Sequence, residues 1–230
     1  VKELREKTGL GMMECKKALE EANGNLEEAI KNLRKSSALK AEKKASRTAV
    51  EGIITSKMSD KEITFIEVNC ETDFVAKDEN FINFCEEALK VAAETSSNEN
   101  LLDKVSERME KQRMSLVQKI GENVIIRKVR KITGEVLESY IHSNKKIAAG
   151  VSLDQGSPEI AKEVAMHIAA SNPIVLSPED LDESYINSER EIFRSQVEKE
   201  NKPEEIKEKM IQGKLNKQLA DVSLLKQPFV

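Results

Sequence analysis

Apolar residues recur at helical spacing over the first part of the chain, and glycines divide them into three short runs. The second run covers residues 12–22 and is followed by Asn23 and Gly24, a pair that favours a left-handed helix cap. The third run follows directly. We therefore predict a small three-helix module over residues 1–35.

Alternation of apolar and polar residues begins at residue 49, where the helical period stops. Residues 49–58 and 63–70 alternate on either side of a polar turn and predict a hairpin. Two amphipathic helices follow, the second over residues 101–120, and a strand is expected at 124–132. These elements define a core N-subdomain at 49–133.

A second group of strands and one helix is predicted after this subdomain. Strands at 136–142 and 146–153 precede a helix that begins at Pro158 and ends before Pro173. Together they define a core C-subdomain at 134–180. The fold class is therefore α+β, a two-subdomain core with antiparallel sheets.

The last part of the chain reads as two highly charged helices, at 183–200 and 203–219. Their apolar positions form only a narrow stripe, which favours a protruding antiparallel helical hairpin, a coiled-coil arm at 181–220. Residues 221–230 are expected to return to the core C-subdomain. The stripe consists of Ile186, Phe193, Val197, Ile206, Met210 and Leu215.

Residues 31–47 are strongly basic, although the whole chain has a formal net charge of -4 and 34% charged residues. The net charge gives no general attraction to nucleic acid or to an anionic membrane. We interpret residues 36–48 as a basic linker, and a partly helical form of it stays open. An RNA- or ribosome-binding role for the basic segment stays open as the alternative function. Its basic residues are Lys31, Arg34, Lys35, Lys40, Lys43, Lys44 and Arg47.

Residues that would support catalysis are scarce. The chain has two histidines and three separated cysteines, with no C-x-x-C pair and no nucleotide-binding glycine motif. We therefore expect a protein that is not an enzyme, with no cofactor and no metal site. Isolated thiols and the lack of a long apolar run indicate a reducing compartment and no membrane partner.

The segment between the 63–70 strand and the next helix places an aromatic residue, Phe74, in a turn. One reading is that Phe74 folds back into the core beside Phe81 and Phe84. The other is that Phe74 is an exposed wedge for a partner, worth about 1.5–3 kcal/mol if it becomes buried there. The hydrophobic pattern alone leaves both open.

Two long motifs resemble the signatures of the translation elongation factor Ts family. One runs from Leu4 to Leu19 (LREKTGLGMMECKKAL), and the other from Glu67 to Lys77 (EVNCETDFVAK). Shorter matches continue to the final residues, so the resemblance covers essentially the whole chain. The chain begins without Met, and family members continue beyond its last residues, so we expect that a part of the natural protein is missing at each end.

The resemblance implies a guanine-nucleotide exchange factor for elongation factor Tu. The factor is expected to bind elongation factor Tu in both its GDP-bound and its nucleotide-free form. The resemblance also implies that the N-terminal module is ubiquitin-associated-like. In the family the Thr-Asp-Phe-Val stretch enters the GTPase near its magnesium ion. By position, Asp73 and Phe74 are the intruding pair, and Thr72 and Val75 support the turn.

Further partner contacts are implied for Met12 and Met13, for His167 and for the arm near Asn201. No direct nucleic-acid partner is expected, and a homodimer stays open. The expected location is the cytoplasm of a bacterium, with an organellar version left open.

Overall fold

In the computed structural model, which describes residues 1–96 and 99–230, the chain divides into two compact units, Val1–Ala161 and Lys162–Val230. The finer division into domains stays a prediction. Within the described residues the helices are α1 (Lys2–Thr8), α2 (Met12–Glu21), α3 (Leu26–Lys44), α4 (Glu79–Glu94), α5 (Leu101–Ile120), α6 (Pro158–Ser171), α7 (Glu183–Val197) and α8 (Glu204–Asp221). The strands are β1 (Glu51–Met58), β2 (Glu62–Cys70), β3 (Ile125–Thr133), β4 (Val136–Ile141) and β5 (Ala148–Leu153).

The three predicted N-terminal helices are present, and they share a small apolar core that includes Leu4, Cys15 and Leu33. The third helix, α3, is longer than predicted and takes in most of the expected linker. The reason is tertiary packing: Ser37 and Ala41 are buried, and Ala41 joins the large core of the unit. Both side chains are small, so the hydrophobic pattern gave little sign of this buried face.

The predicted hairpin is confirmed, and β3 completes an antiparallel sheet in the order β1-β2-β3. In the hairpin, Glu51 lies opposite Cys70 and Met58 lies opposite Ile63. Helices α4 and α5 bury their apolar faces with this sheet in one cluster, in which Phe81 is fully buried. The sheet therefore ends at Cys70 against a well-packed core.

A second antiparallel sheet contains β4 and β5. It lies close to the first sheet, because a Cβ atom on Gly150 would come within 2.6 Å of both Phe65 and Ile132. Only glycine allows this approach without displacement of those side chains. The prediction of an α+β fold with small antiparallel sheets is confirmed.

The second unit contains the two predicted charged helices, α7 and α8, which pack against each other. Their apolar stripe differs in part from the prediction: Ile211 is buried, whereas Ile206 is exposed. Ile206 lies in the first turn of α8, next to the connection from α7. Val197 and Leu215 are buried as expected.

None of the helices in the described ranges combines the length and apolar character that a membrane span requires.

Candidate functional site

A short structured turn joins the end of β2 to the start of α4. The carbonyl oxygen of Thr72 accepts a hydrogen bond from the Ala76 N–H at 3.2 Å, and a 3-10 helix follows at Val75–Lys77. Asp78 then caps α4, because its Oδ1 accepts from the Asn80 N–H at 2.8 Å. The backbone of the turn is thus hydrogen-bonded on both sides of Phe74.

Phe74 points away from the core and is 80% exposed. The reading in which it plugs the core is therefore wrong. Phe81 and Phe84 are buried in that core together with Val75, which is partly buried. Because Val75 anchors the turn, Phe74 is left as a large apolar side chain in solvent.

Asp73 is exposed beside Phe74, and its Oδ2 lies 3.0 Å from the Lys77 ammonium. The hydrogen bond from Lys77, together with its positive charge, lowers the pKa of Asp73. Asp73 is therefore ionised at neutral pH. The turn offers a carboxylate and an aromatic ring side by side.

The base of the turn is held by a pair of glutamates that bond across two loops. Glu122 accepts hydrogen bonds from the backbone N–H groups of Glu71 and Thr72, at 3.1 and 3.0 Å, and from the Thr72 hydroxyl at 2.6 Å. In return, the Glu71 carboxylate accepts from the Asn123 N–H at 2.7 Å. We call this arrangement of Glu71, Thr72, Glu122 and Asn123 the clasp.

The buried Cys70 thiol adds one more contact, a hydrogen bond to the Thr72 carbonyl oxygen at 3.2 Å. Burial, reinforced by the negative charge of Glu122, raises the pKa of Cys70 to about 12. The thiol is thus protonated at neutral pH and acts as a donor.

The loop that carries Glu122 is also bonded to the end of α3. The side-chain amide of Asn123 donates to the carbonyl oxygens of Ala45 and Arg47, at 3.3 and 2.9 Å. Lys44 donates to the carbonyl oxygen of Gly121, which ends α5 with a left-handed φ of 80°. The turn and the N-terminal helices are therefore joined through one loop.

Met12 and Met13 lie at the start of α2, after Gly11, and both side chains are exposed. The same helix is attached to the core of the unit, because Glu14 accepts a hydrogen bond from Gln118 of α5 at 2.9 Å. Both methionine side chains therefore lie on the surface of α2. Their contact with a partner stays a prediction.

His167 belongs to the second unit and is only 4% exposed. Its Nε2 lies 2.9 Å from the side-chain oxygen of Gln227, and its ring stacks on Phe229 with a centroid distance of 5.3 Å. Its Nδ1 accepts from the Val230 N–H at 3.3 Å. His167 can therefore contact a partner only if the residues that cover it, Gln227, Phe229 and Val230, move away.

Three of the seven basic side chains in residues 31–47 bond to other parts of the protein. Lys40 pairs with Glu14, Lys44 bonds to the Gly121 carbonyl oxygen, and Arg47 lies 3.6 Å from Glu71. These cations hold α3 against the core. They are correspondingly less available to phosphate groups.

Acidic, histidine and cysteine side chains are spread out over the described part of the chain, with no group of three placed to hold a metal ion.

The structure thus defines an α+β protein that presents an exposed, apolar turn on a hydrogen-bonded base. Residues 71–230 match the family model described as elongation factor TS. The full chain is 53% identical to elongation factor Ts from Marinobacter nauticus and 51% identical to that from Teredinibacter turnerae, and it covers 80% of each. Elongation factor Ts from Hahella chejuensis is 48% identical, and 81% of that protein is covered.

The chain belongs to the elongation factor Ts family. It therefore has an elongation factor role in protein biosynthesis, and guanine-nucleotide exchange is the family's function. The resemblance in the two sequence motifs is confirmed.

The residues that support the turn were not among those predicted from the sequence. Glu122 belongs to one of the shorter family matches, residues 119–123, but that match implies no role for it. Its local signal is a polar pair, Glu122 and Asn123, placed between a helix-ending glycine and a strand. That signal does not reveal contact with residues about fifty positions earlier.

Proposed function

We propose that this chain binds elongation factor Tu in its GDP-bound state and promotes release of GDP by disturbing the magnesium site. GTP can then rebind. Membership of the family supports the elongation factor role. The observation that carries the proposed route is the exposure of Phe74 on a structured turn.

The physical basis is linkage between two ligands of one GTPase. A factor that binds the nucleotide-free GTPase more tightly than the GDP-bound form must weaken GDP binding by the same ratio. Each tenfold preference corresponds to about 1.4 kcal/mol. Disturbing magnesium is an effective route, because this ion neutralises phosphate oxygens and orders the switch loops of GTPases.

The two exposed side chains of the turn, Asp73 and Phe74, would have different roles in this step. Phe74 would insert as an apolar wedge and gain about 1.5–3 kcal/mol from burial in the partner. Asp73 would bring an ionised carboxylate toward the cation and compete with the ligands that hold the ion. Thr72 and Val75 would keep the turn in place through the contacts described above.

Met12 and Met13 are proposed as a second contact with the same partner. A flexible thioether side chain can adapt to an irregular apolar surface. A contact by His167 is also proposed, on condition that the imidazole becomes uncovered. The compared relatives are bacterial proteins, which supports a proposed cytoplasmic location.

The alternative of RNA binding through residues 31–47 is less well supported, because three of the basic side chains bond within the protein. It predicts an RNA affinity that falls steeply with salt and survives Phe74→Ala. Retention of labelled RNA on filters at two salt concentrations distinguishes it from the exchange function.

The main experiment follows a fluorescent GDP analogue as it leaves elongation factor Tu after substoichiometric amounts of this chain are added. We expect faster release, with most of the acceleration lost in Phe74→Ala. Met58→Ala is the matched control, because Met58 is also exposed but lies at the far end of the hairpin from Cys70. Unchanged GDP release with folded wild-type chain would contradict the proposal.

A further inference from the structure

We infer that Glu122 is a positioning residue for guanine-nucleotide exchange, which holds the Asp73–Phe74 turn at the angle needed to enter the partner. This inference rests on the proposed function. Glu122 itself has no proposed contact with elongation factor Tu. Its effect is exerted through the backbone of Glu71 and Thr72.

The carboxylate of Glu122 binds three donors on the two residues directly before Asp73. Two are backbone N–H groups and the third is the Thr72 hydroxyl, all within 3.1 Å. Hydrogen bonds to an ionised acceptor are stronger than neutral ones. The start of the turn is therefore held by one side chain from a distant loop.

The other hydrogen bonds at Thr72 do not involve these two N–H groups. The Thr72 carbonyl oxygen accepts from the Ala76 N–H at 3.2 Å. Thr72 Oγ1 also accepts from the Val75 N–H, but at 3.4 Å. The Cys70 thiol is a weak donor to the Thr72 carbonyl oxygen. Without Glu122, the two N–H groups before Asp73 would turn to solvent, and the position of Phe74 would become variable.

Removal of Glu122 should loosen the turn without unfolding the protein. The other half of the clasp, Glu71 to the Asn123 N–H, does not involve the Glu122 side chain. The far end of the turn is independently anchored by Val75 in the core and by the Asp78 cap of α4. The effect should therefore fall on exchange more than on stability.

The chemistry of the clasp predicts a graded series of variants. A carboxylate offers two acceptor oxygens, whereas the amide of glutamine offers one acceptor oxygen and an NH₂ group that can only donate. Glu122→Gln should therefore keep part of the support, and Glu122→Ala should keep none. Glu67→Ala is the matched control, because Glu67 is also a half-buried glutamate of the same unit, but its carboxylate pairs with Arg127 and does not bond to the turn.

The test measures GDP release from elongation factor Tu over a range of concentrations of each variant. We expect Glu122→Ala to lower the maximal rate by about tenfold or more, since small misplacements of acting groups carry penalties of this size. Glu122→Gln should be intermediate, and Glu67→Ala should match wild type. Equal rates for Glu122→Ala and wild type would overturn the inference.

A double variant separates positioning from a general structural loss. If Glu122 acts through Phe74, Glu122→Ala should add little to the defect of Phe74→Ala, because both remove the same contribution. Independent, multiplying defects would overturn the inference.

Amide hydrogen exchange tests the clasp without the partner. We expect faster exchange at Glu71 and Thr72 in Glu122→Ala, with unchanged protection in α4. Unchanged protection at both amides would contradict the clasp itself. The wild-type chain could fail to accelerate GDP release from elongation factor Tu while the two amides respond as expected. In that case the proposed function is wrong, but the hydrogen bonds of the clasp are confirmed.

Discussion

Two exposed phenylalanines in this protein differ in what lies around them. Phe74 is 80% exposed and projects from a turn whose flanking backbone is hydrogen-bonded on both sides. Phe229 is 63% exposed, yet one face of its ring stacks on His167. The first has a structured support and a free ring, whereas the second already has a contact within its own unit.

This difference shows that exposure alone does not identify a binding side chain. The position of Phe229 has an explanation within the protein, because its ring covers the buried His167 side chain. Nothing in the core explains why Phe74 is aromatic, because Val75 and the buried phenylalanines fill the space behind the turn. The proposed partner contact of Phe74 rests on this combination of an exposed ring and an ordered backbone.

The largest expected effect is the difference in stability between a phenylalanine-to-alanine substitution in the core and the same substitution in the turn. Phe81→Ala should lower the free energy of unfolding by about 3–5 kcal/mol, because it removes a fully buried ring. Phe74→Ala should change it by less than about 0.5 kcal/mol. Urea denaturation of both variants measures the contrast, and a large loss of stability in Phe74→Ala would restore the core-plug reading.

A smaller effect is expected from the second proposed contact. Replacing Met12 and Met13 together by alanine should weaken binding to nucleotide-free elongation factor Tu by about 1–2 kcal/mol, with stability unchanged. Isothermal titration measures the affinity. Leu39→Ala is the control, since Leu39 is also exposed and lies on α3. Equal affinity of the double variant and wild type would exclude the contact.

The smallest effect concerns the other phenylalanine of the comparison. Phe229→Ala should cost about 0.5–1.5 kcal/mol of stability, the usual value of one aromatic pair. GDP release should stay close to the wild-type rate. If Phe229→Ala slows release as strongly as Phe74→Ala, the distinction between a supported wedge and a covering ring is wrong.

Most helices and strands could be predicted because their apolar residues follow a clear period and their ends carry glycine, proline or polar residues. The second half of α3 is an exception. It buries only small side chains, Ser37 and Ala41, against the core. Hydrophobic patterning does not detect a helix face of this kind, so it predicts a linker and does not show how far the helix extends into it.

The candidate site was only partly predictable. The motif resemblance gave Asp73 and Phe74 as candidates, but the pattern of the turn alone did not decide between a buried and an exposed ring. The outcome depends on long-range packing: Val75 fills the space behind the turn, and Glu122 reaches it from a loop about fifty residues away. Local sequence carries no information on such contacts.

The central claim is that Phe74 acts on the magnesium site of the partner, and one measurement tests it directly. GDP release from elongation factor Tu is followed with wild-type chain and with Phe74→Ala, first with excess magnesium and then after its removal by a chelator. We predict a large difference between the two proteins with magnesium present and a much smaller one without it. An equally large difference after magnesium removal would contradict the account.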